Sequence, residues 1–186
     1  MRALSKNLQD VFLDDCESDV VIKVGDEKYS AHKIIIRARS PVFYAMLKND
    51  MREKSKGFID IPDCDPYIFR DFLLYLYAGK IDNISNENVC ELYYMSDKYD
   101  VKELKKDCVE FLSNNLTVHI ICDVILLATS HCECSLLSQA TEFFIENAKD
   151  ILVSVKWQQF VKENPVQANE LFIKTFNKIS RNRFVL

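Results

Sequence analysis

The chain has 186 residues and a formal net charge of −4, and 48% of its residues are hydrophobic. This length suits one domain, or one domain with a small helical extension, and the apolar fraction allows a packed core. The acidic balance argues against general nucleic-acid binding, because domains of that class usually carry an excess of basic residues. Only three glycines and four prolines are present, which favours a mostly helical protein.

The seven cysteines follow no regular spacing, and the N-terminal stretch MRALSKNLQDVFLDD has no apolar signal region. The most apolar stretch is HIICDVILLA, which is too short to cross a bilayer and contains Asp123. We therefore expect an intracellular protein with reduced thiols and no membrane association, located in the nucleus, the cytoplasm or both.

The first predicted elements are a helix and a β-hairpin. Apolar residues at helical spacing predict a short amphipathic helix over residues 3–13, built around Leu4, Leu8, Val11 and Phe12. The hairpin consists of DVVIKV (19–24) and EKYSA (27–31), joined by the turn signal Gly25-Asp26.

Two short helices and a third strand follow the hairpin. The first helix is predicted over 32–38, and Ser40-Pro41 begins the second, with serine as N-cap and proline at the first helical position. Its buried stripe is predicted to be Val42, Phe43, Met46 and Leu47. The alternating segment GFIDIPDC (57–64) then predicts a strand.

The rest of the chain is predicted to be helical. One helix begins at Asp65-Pro66 and ends at Gly79. Six more are expected near 86–99, 101–112, 118–129, 134–148, 156–163 and 165–178, and the final residues, 180–186, are expected to fray.

These segments together resemble a known family. The match to a BTB/POZ domain begins with SDVVIKVGDEKYSAHKIIIRARSPVFYAML and continues with IDIPDCDPYIFRDFLLYLYAGKI and ELYYMSDKYDVKELKKDCVEFL. The helical tail resembles a BACK-type extension, and the chain is most similar to speckle-type POZ proteins and their TD-POZ relatives. The resemblance implies an α+β fold: a BTB/POZ domain over 1–114, with a small mixed sheet flanked by helices, and an all-helical BACK-like extension over 115–186.

The resemblance also implies a function. It indicates a non-enzymatic substrate adaptor of a cullin-3 ubiquitin ligase that needs no cofactor. Such relatives usually carry an N-terminal substrate-binding MATH domain, whereas Met1 here almost adjoins the first BTB helix. We therefore expect ubiquitination substrates to bind through a domain that this chain does not contain. A BTB scaffold that oligomerises without binding cullin-3 is the alternative.

The predicted cullin-3 contact centres on Met51 and Glu53, which match a family position in an exposed loop. A flexible methionine can fill a groove between partner helices, and a glutamate can orient the partner through a charged hydrogen bond. Burial of Met51 under the core is the alternative. The resemblance extends this contact to residues of neighbouring helices, namely Phe43, Tyr44, Leu47, Tyr94 and Tyr99; core packing is the equal alternative for Tyr94 and Tyr99.

The predicted homodimer forms through the first helix, whose residues Leu4, Leu8, Val11 and Phe12 match the family's dimerisation helix. A short helix cannot bury its own apolar face, and a two-fold partner would bury it. Packing back on its own sheet is the alternative. The resemblance also implies that Asp19 and Lys33 form a charged pair near this interface. It further implies that Phe172 makes a second self-association contact, which would give higher oligomers.

Two segments contain residue types found in catalytic or metal sites. A catalytic His32 would need a nucleophile and an oxyanion site, and no Gly-rich turn lies beside a serine or cysteine, so we interpret it as a structural imidazole satisfied by backbone groups. The segment HCEC (131–134) lacks a second ligand pair, and only His119 and Cys122 could join it through packing. We expect no metal; a thiol- or zinc-dependent enzyme using His131, Cys132 and Cys134 is the alternative.

Overall fold

The computed structural model describes residues 2–14, 17–48, 58–81 and 84–183. The chain divides into two compact units, of which the first ends at Cys108 and the second begins at Val109. This division lies inside a helix that ends at Asn114, where the domain boundary is predicted. The assignment of 115–186 as a separate BACK-like domain stays a prediction.

The first unit contains a three-stranded mixed sheet with strand order β2-β1-β3. Strands β1 (Val20–Val24) and β2 (Glu27–Ala31) form the predicted antiparallel hairpin, and β3 (Ile59–Ile61) runs parallel to β1. Side chains of β1 and β3 alternate between the core and solvent, because successive residues of a strand point to opposite faces. The buried residues on the core face are Ile22, Val24, Ile59 and Ile61.

Helices surround this sheet. Those that begin in the first unit are α1 (Arg2–Leu13), α2 (Lys33–Arg39), α3 (Pro41–Lys48), α4 (Pro66–Ala78), α5 (Val89–Lys98) and α6 (Lys102–Asn114). All six were predicted, and their ends differ from the predicted ones by at most a few residues. Helix α4 contributes much of the core and packs against α1, α2 and α5.

Local chemistry sets the ends of several helices. Asp65 accepts the backbone N–H groups of Tyr67 and Ile68, at 2.8 and 3.3 Å, and so caps α4. The same helix ends at Gly79, which has a left-handed φ of 68° that glycine adopts without a steric penalty. Helix α5 ends with Asp100 in the left-handed region, at a φ of 51°.

The second unit continues with helices α7 (Ile121–Ser130), α8 (Cys134–Glu146), α9 (Ala148–Leu152), α10 (Val155–Glu163) and α11 (Pro165–Arg183). Its core includes Trp157, whose ring centre lies 5.1 Å from that of Phe144 and 5.5 Å from that of Phe160. Two details differ from the prediction: α9 is a separate short helix, and α11 continues to Arg183. None of the helices described in the structure is both long and apolar enough to cross a membrane.

Candidate functional site

An exposed apolar surface lies on α1 and α2. We call it the first-helix surface and define it by Leu4, Leu8, Val11 and Ile34. Leu4 is 64% exposed and Ile34 is 79% exposed. A groove of about 1310 Å³ beside it is lined by Leu4, Leu8 and Ile34 together with residues of α4. Exposed apolar residues that adjoin a groove are typical of protein–protein contacts.

Two other residues of α1, Ser5 and Phe12, anchor this helix within the first unit. The Ser5 hydroxyl donates a 2.6 Å hydrogen bond to the Ala78 carbonyl at the end of α4. Phe12 is buried, and its ring centre lies 5.1 Å from that of Tyr77. Phe12, which was predicted at the dimer interface, thus packs within its own chain, whereas the other predicted residues of this helix remain at least partly accessible.

His32 is held beside α1 by the same tyrosine. The Tyr77 hydroxyl oxygen accepts the His32 backbone N–H at 2.8 Å and lies 2.8 Å from the His32 Nδ1. His32 is therefore paired, as expected for a structural imidazole, and the Tyr77 hydroxyl is one partner of its ring. The arrangement ties the start of α2 to the end of α4.

The predicted Asp19–Lys33 pair takes a different form. The Asp19 carboxylate accepts the backbone N–H of Lys33 at 2.7 Å, at the first residue of α2. The observed contact therefore involves the backbone of Lys33 and caps a helix, where a negative charge is favoured. Asp19 orders the start of α2 and hence the position of the neighbouring Ile34.

The residues predicted to contact cullin-3 divide into buried and exposed groups. Phe43 stacks on Tyr99 with ring centres 4.6 Å apart, and Tyr99 lies 5.3 Å from Phe72. Phe43 and Tyr99 are fully buried, Leu47 is almost so, and burial raises the pKa of the Tyr99 hydroxyl. Because these three side chains are buried in the core, they are not available for direct contact with a partner protein.

Two of the predicted aromatic residues are accessible. Tyr44 is 45% exposed and Tyr94 is 42% exposed. The Arg37 guanidinium and the Lys48 ammonium lie 5.0 and 5.9 Å from the centre of the Tyr44 ring, which places two positive charges beside this tyrosine. The central predicted residues, Met51 and Glu53, lie outside the described residues.

An ion pair lies near the buried aromatic cluster. The Lys98 ammonium is 2.6 and 2.7 Å from the two carboxylate oxygens of Asp63 and 5.5 Å from the centre of the Tyr99 ring. The hydrogen bond and the charge of Lys98 lower the pKa of the Asp63 carboxyl. This pair connects α5 to the segment between β3 and α4.

In the second unit, Phe172 is only half accessible. It is 45% exposed, and its ring meets that of Trp157 edge-on at 5.3 Å. Phe176, one helical turn later, is 70% exposed and was not singled out from the sequence, although its spacing from Phe172 places both on one helix face. Ile34, which is 79% exposed, was also not singled out from the sequence.

The segment His131–Cys134 is the end of α7 and the start of α8. In the described ranges, no three histidine, cysteine, aspartate or glutamate side chains lie close enough together to hold a metal ion. Cys132 and Cys134 are exposed free thiols.

Comparison with known proteins agrees with this fold. The model of the BTB/POZ domain family matches residues 8–116. In the mouse, Mus musculus, TD and POZ domain-containing protein 3 is 31% identical over 170 residues, which are 91% of this chain and 47% of that protein. TD and POZ domain-containing protein 4 of the same species is 30% identical over 156 residues, which are 83% of this chain and 42% of that protein. The chain thus spans less than half the length of these curated relatives.

A solved structure supports the same assignment. The BTB domain of zebrafish PATZ1 resembles this chain with a TM-score of 0.53 and 23% sequence identity, over 61% of this chain and 92% of that domain. At this identity the likeness shows the fold alone, and it confirms the predicted α+β class. Because the family model matches more than half of the residues, the chain belongs to the BTB/POZ domain family and is a protein-interaction scaffold.

Proposed function

We propose that the chain is a substrate-adaptor subunit of a cullin-3 ubiquitin ligase, and that it forms a homodimer through the first-helix surface. The observation that carries the proposal is the exposure of Leu4 and Ile34 beside a large groove in a BTB/POZ domain. The proposal gives this chain no catalytic role, because the proteins that it recruits would transfer ubiquitin.

The dimer is favoured by the free energy of burying apolar side chains. Full burial of one leucine or isoleucine side chain contributes about 1.5–3 kcal/mol. In a two-fold interface each such residue is buried twice, once from each copy. Leu4 and Ile34 alone could therefore offset a substantial part of the entropy lost on association.

The molar mass in solution tests the dimer. We expect the wild-type chain to be dimeric at micromolar concentration by light scattering, and the double variant Leu4→Asp, Ile34→Asp to be monomeric. Val155→Asp is the matched control, since Val155 and Ile34 are both 79% exposed and Val155 lies in the second unit. A monomeric wild-type chain, or equal loss of dimer in the control, would contradict this part of the proposal.

The cullin-3 contact is proposed to consist of Met51 and Glu53 together with Tyr44 and Tyr94. The half-exposure of both tyrosines supports this assignment, since tyrosine is enriched at interface cores. Phe43, Leu47 and Tyr99 would contribute indirectly, by holding α3 against α5.

Calorimetric titration with the N-terminal region of cullin-3 tests this contact. Loss of a central interface residue costs about 2 kcal/mol or more, so Met51→Asp should weaken binding by about 30-fold or more. Glu53→Ala should weaken it as well, whereas Glu110→Ala, which removes an exposed glutamate on α6, should not. A dimeric chain that does not bind cullin-3 would favour the alternative, a BTB oligomerisation scaffold.

For the second unit we propose the role of a BACK-like extension. The exposed faces of Phe172 and Phe176 are suited to a second self-association contact, which would link dimers into higher oligomers. Substrates would bind through a domain that this chain does not contain. Phe172→Asp together with Phe176→Asp should lower the mass of any assembly larger than a dimer without dissociating the dimer itself.

A further inference from the structure

We propose that Cys132 and Cys134 form a reversible oxidation site, in which the two thiols close an intramolecular disulfide by exchange with a glutathione-type disulfide. The site lies in the second unit and does not depend on the partners proposed above. Its evidence is the backbone geometry between α7 and α8, the exposure of both thiols and a groove beside Cys134 that two lysines line.

Cys132 occupies a backbone position that normally favours glycine. Its φ is 56°, in the left-handed region. The Glu133 N–H bonds to the Ala128 carbonyl at 2.9 Å, and the Cys132 N–H bonds to the Thr129 carbonyl at 3.4 Å. This is the Schellman pattern of a helix end, in which the left-handed residue is usually glycine. A cysteine here costs conformational free energy that a glycine would not, and such a cost suggests a role for the side chain.

The next residue brings the two cysteines together. Glu133 has φ −78° and ψ 72°, and the Cys134 N–H bonds to the Cys132 carbonyl at 2.9 Å, which together define an inverse γ-turn. Residues two apart are separated by at most about 7 Å in an extended chain, and the turn shortens this distance. The Cα separation therefore falls toward the range of roughly 4.4–6.8 Å that disulfides require.

Among the cysteines that the structure describes, these two have the most accessible thiols. Both are exposed, whereas Cys108 and Cys122 are buried, and Cys64 and Cys90 are partly buried. Burial raises the pKa of the Cys108 thiol to about 12 and the pKa of Cys122 and Cys64 to about 11. Because the thiolate is the nucleophile in disulfide exchange, Cys64, Cys108 and Cys122 should react far more slowly.

A groove that adjoins Cys134 offers lysine side chains to an anionic disulfide. Its volume is about 480 Å³, and Cys134 lines it together with Glu142, Lys174 and Lys178. Lys178 pairs with Glu142 at 3.4 Å, and both side chains keep substantial exposure. The Lys174 ammonium can pair with a carboxylate of a glutathione unit while the glutathione sulfur meets Cys134, and Lys178 can do so by exchanging its contact with Glu142.

The chemistry is balanced exchange. The Cys134 thiolate attacks one sulfur of glutathione disulfide, the S–S bond breaks, and one glutathione leaves as the thiolate. Cys132 then attacks the Cys134 sulfur of this mixed disulfide and displaces the second glutathione. The protein dithiol loses two electrons and two protons, and the disulfide reagent gains them.

Intact-mass and peptide mapping after incubation with glutathione disulfide test the site. We expect the wild-type chain to lose both thiols of the 131–134 segment and to retain no glutathione there, and a reductant to restore them. Cys132→Ser should instead retain one glutathione on Cys134, because the second step is blocked. Thermal unfolding of the reduced variant should match the wild type, which excludes misfolding as the cause.

Three other results would overturn the proposal: no reaction at either cysteine, stable glutathione adducts on both, or a disulfide from one of them to a different cysteine. The role of the groove is tested by the rate at which Cys134 reacts with the disulfide reagent. Lys174→Glu should slow exchange with glutathione disulfide several-fold but not exchange with uncharged hydroxyethyl disulfide. Lys149→Glu is the control on another helix, and an equal effect in both variants would overturn the role of the groove.

Discussion

The Ser40 hydroxyl donates a 2.6 Å hydrogen bond to the Tyr99 carbonyl and accepts the Phe43 backbone N–H at 3.2 Å. One buried side chain thus caps α3 and also satisfies the carbonyl at the end of α5. The stacked pair of Phe43 and Tyr99 lies between the same two helices. The helix that leads to the proposed cullin-3 contact is therefore positioned by an uncharged hydroxyl in the core.

Replacing Ser40 tests this relationship. Ser40→Ala removes an N-cap and leaves the Tyr99 carbonyl without its hydroxyl partner, so we expect the free energy of unfolding to fall by about 2–3 kcal/mol. Urea denaturation measures the change. Ser138→Ala, at an exposed helical position, is the control and should stay within about 0.5 kcal/mol of the wild type. Equal stability of the two variants would show that the Ser40 bonds are weak.

The hydroxyl of Tyr77 offers a second test. Tyr77→Phe keeps the ring that packs on Phe12 but removes the oxygen that contacts the His32 backbone N–H and Nδ1. Loss of a partner for a partly buried donor costs about 1–3 kcal/mol, so we expect the free energy of unfolding to fall by about that amount, seen as a lower urea midpoint at unchanged slope. Tyr67→Phe is the control, since Tyr67 is 81% exposed and should change little.

The end of α4 gives a prediction about backbone conformation. Gly79 has a φ of 68°, and a Cβ added there would meet only the Arg39 Nη2 within 4 Å, at 3.9 Å. The cost of Gly79→Ala should therefore be conformational, about 1–2 kcal/mol in thermal or urea unfolding. Gly79→Asn should cost less, because asparagine tolerates the left-handed region. An equal loss in both variants would point to a steric cause.

The Asp63–Lys98 pair predicts a dependence of stability on pH. Lys98 holds the pKa of the Asp63 carboxyl below its ordinary value of 3.8 in the folded state. A lowered folded pKa means that the contribution is present above pH 3.8 and is lost as the pH falls through the folded value. Asp63→Asn should therefore destabilise the fold at neutral pH and lose this effect in strong acid.

Solvent screening limits how much the Asp63–Lys98 pair contributes to the free energy of unfolding. The side chains of Lys98 and Asp63 are 42% and 64% exposed, so we expect less than about 1 kcal/mol in urea denaturation at neutral pH. A double-mutant cycle with Lys98→Met isolates the pair, because Asp63→Asn should have little further effect once the ammonium is gone. An undiminished effect in the Lys98→Met background would exclude the ion pair as its source.

Local patterns predicted the helices and the hairpin well. Ser40-Pro41, Asp65-Pro66 and Gly79 marked helix ends because capping depends on the hydrogen bonds and φ angles of adjacent residues. The same reasoning missed α9 as a separate helix, since its five residues are too few to show a hydrophobic period. It also did not predict the left-handed conformation of Cys132, which the sequence pattern does not favour.

The surface was less predictable than the elements. Phe43, Tyr99 and Tyr44 were all predicted to contact cullin-3, yet the first two are buried and Tyr44 is half exposed. Likewise, Phe12 is buried against Tyr77 of its own chain, whereas Leu4 on the same helix is exposed. By itself, the sequence determined the class of the fold, the order of the elements and the positions of most caps, because these follow from interactions between near neighbours. Only the tertiary structure decided which apolar side chains remain uncovered, because burial depends on residues that are distant in the chain and meet only after folding.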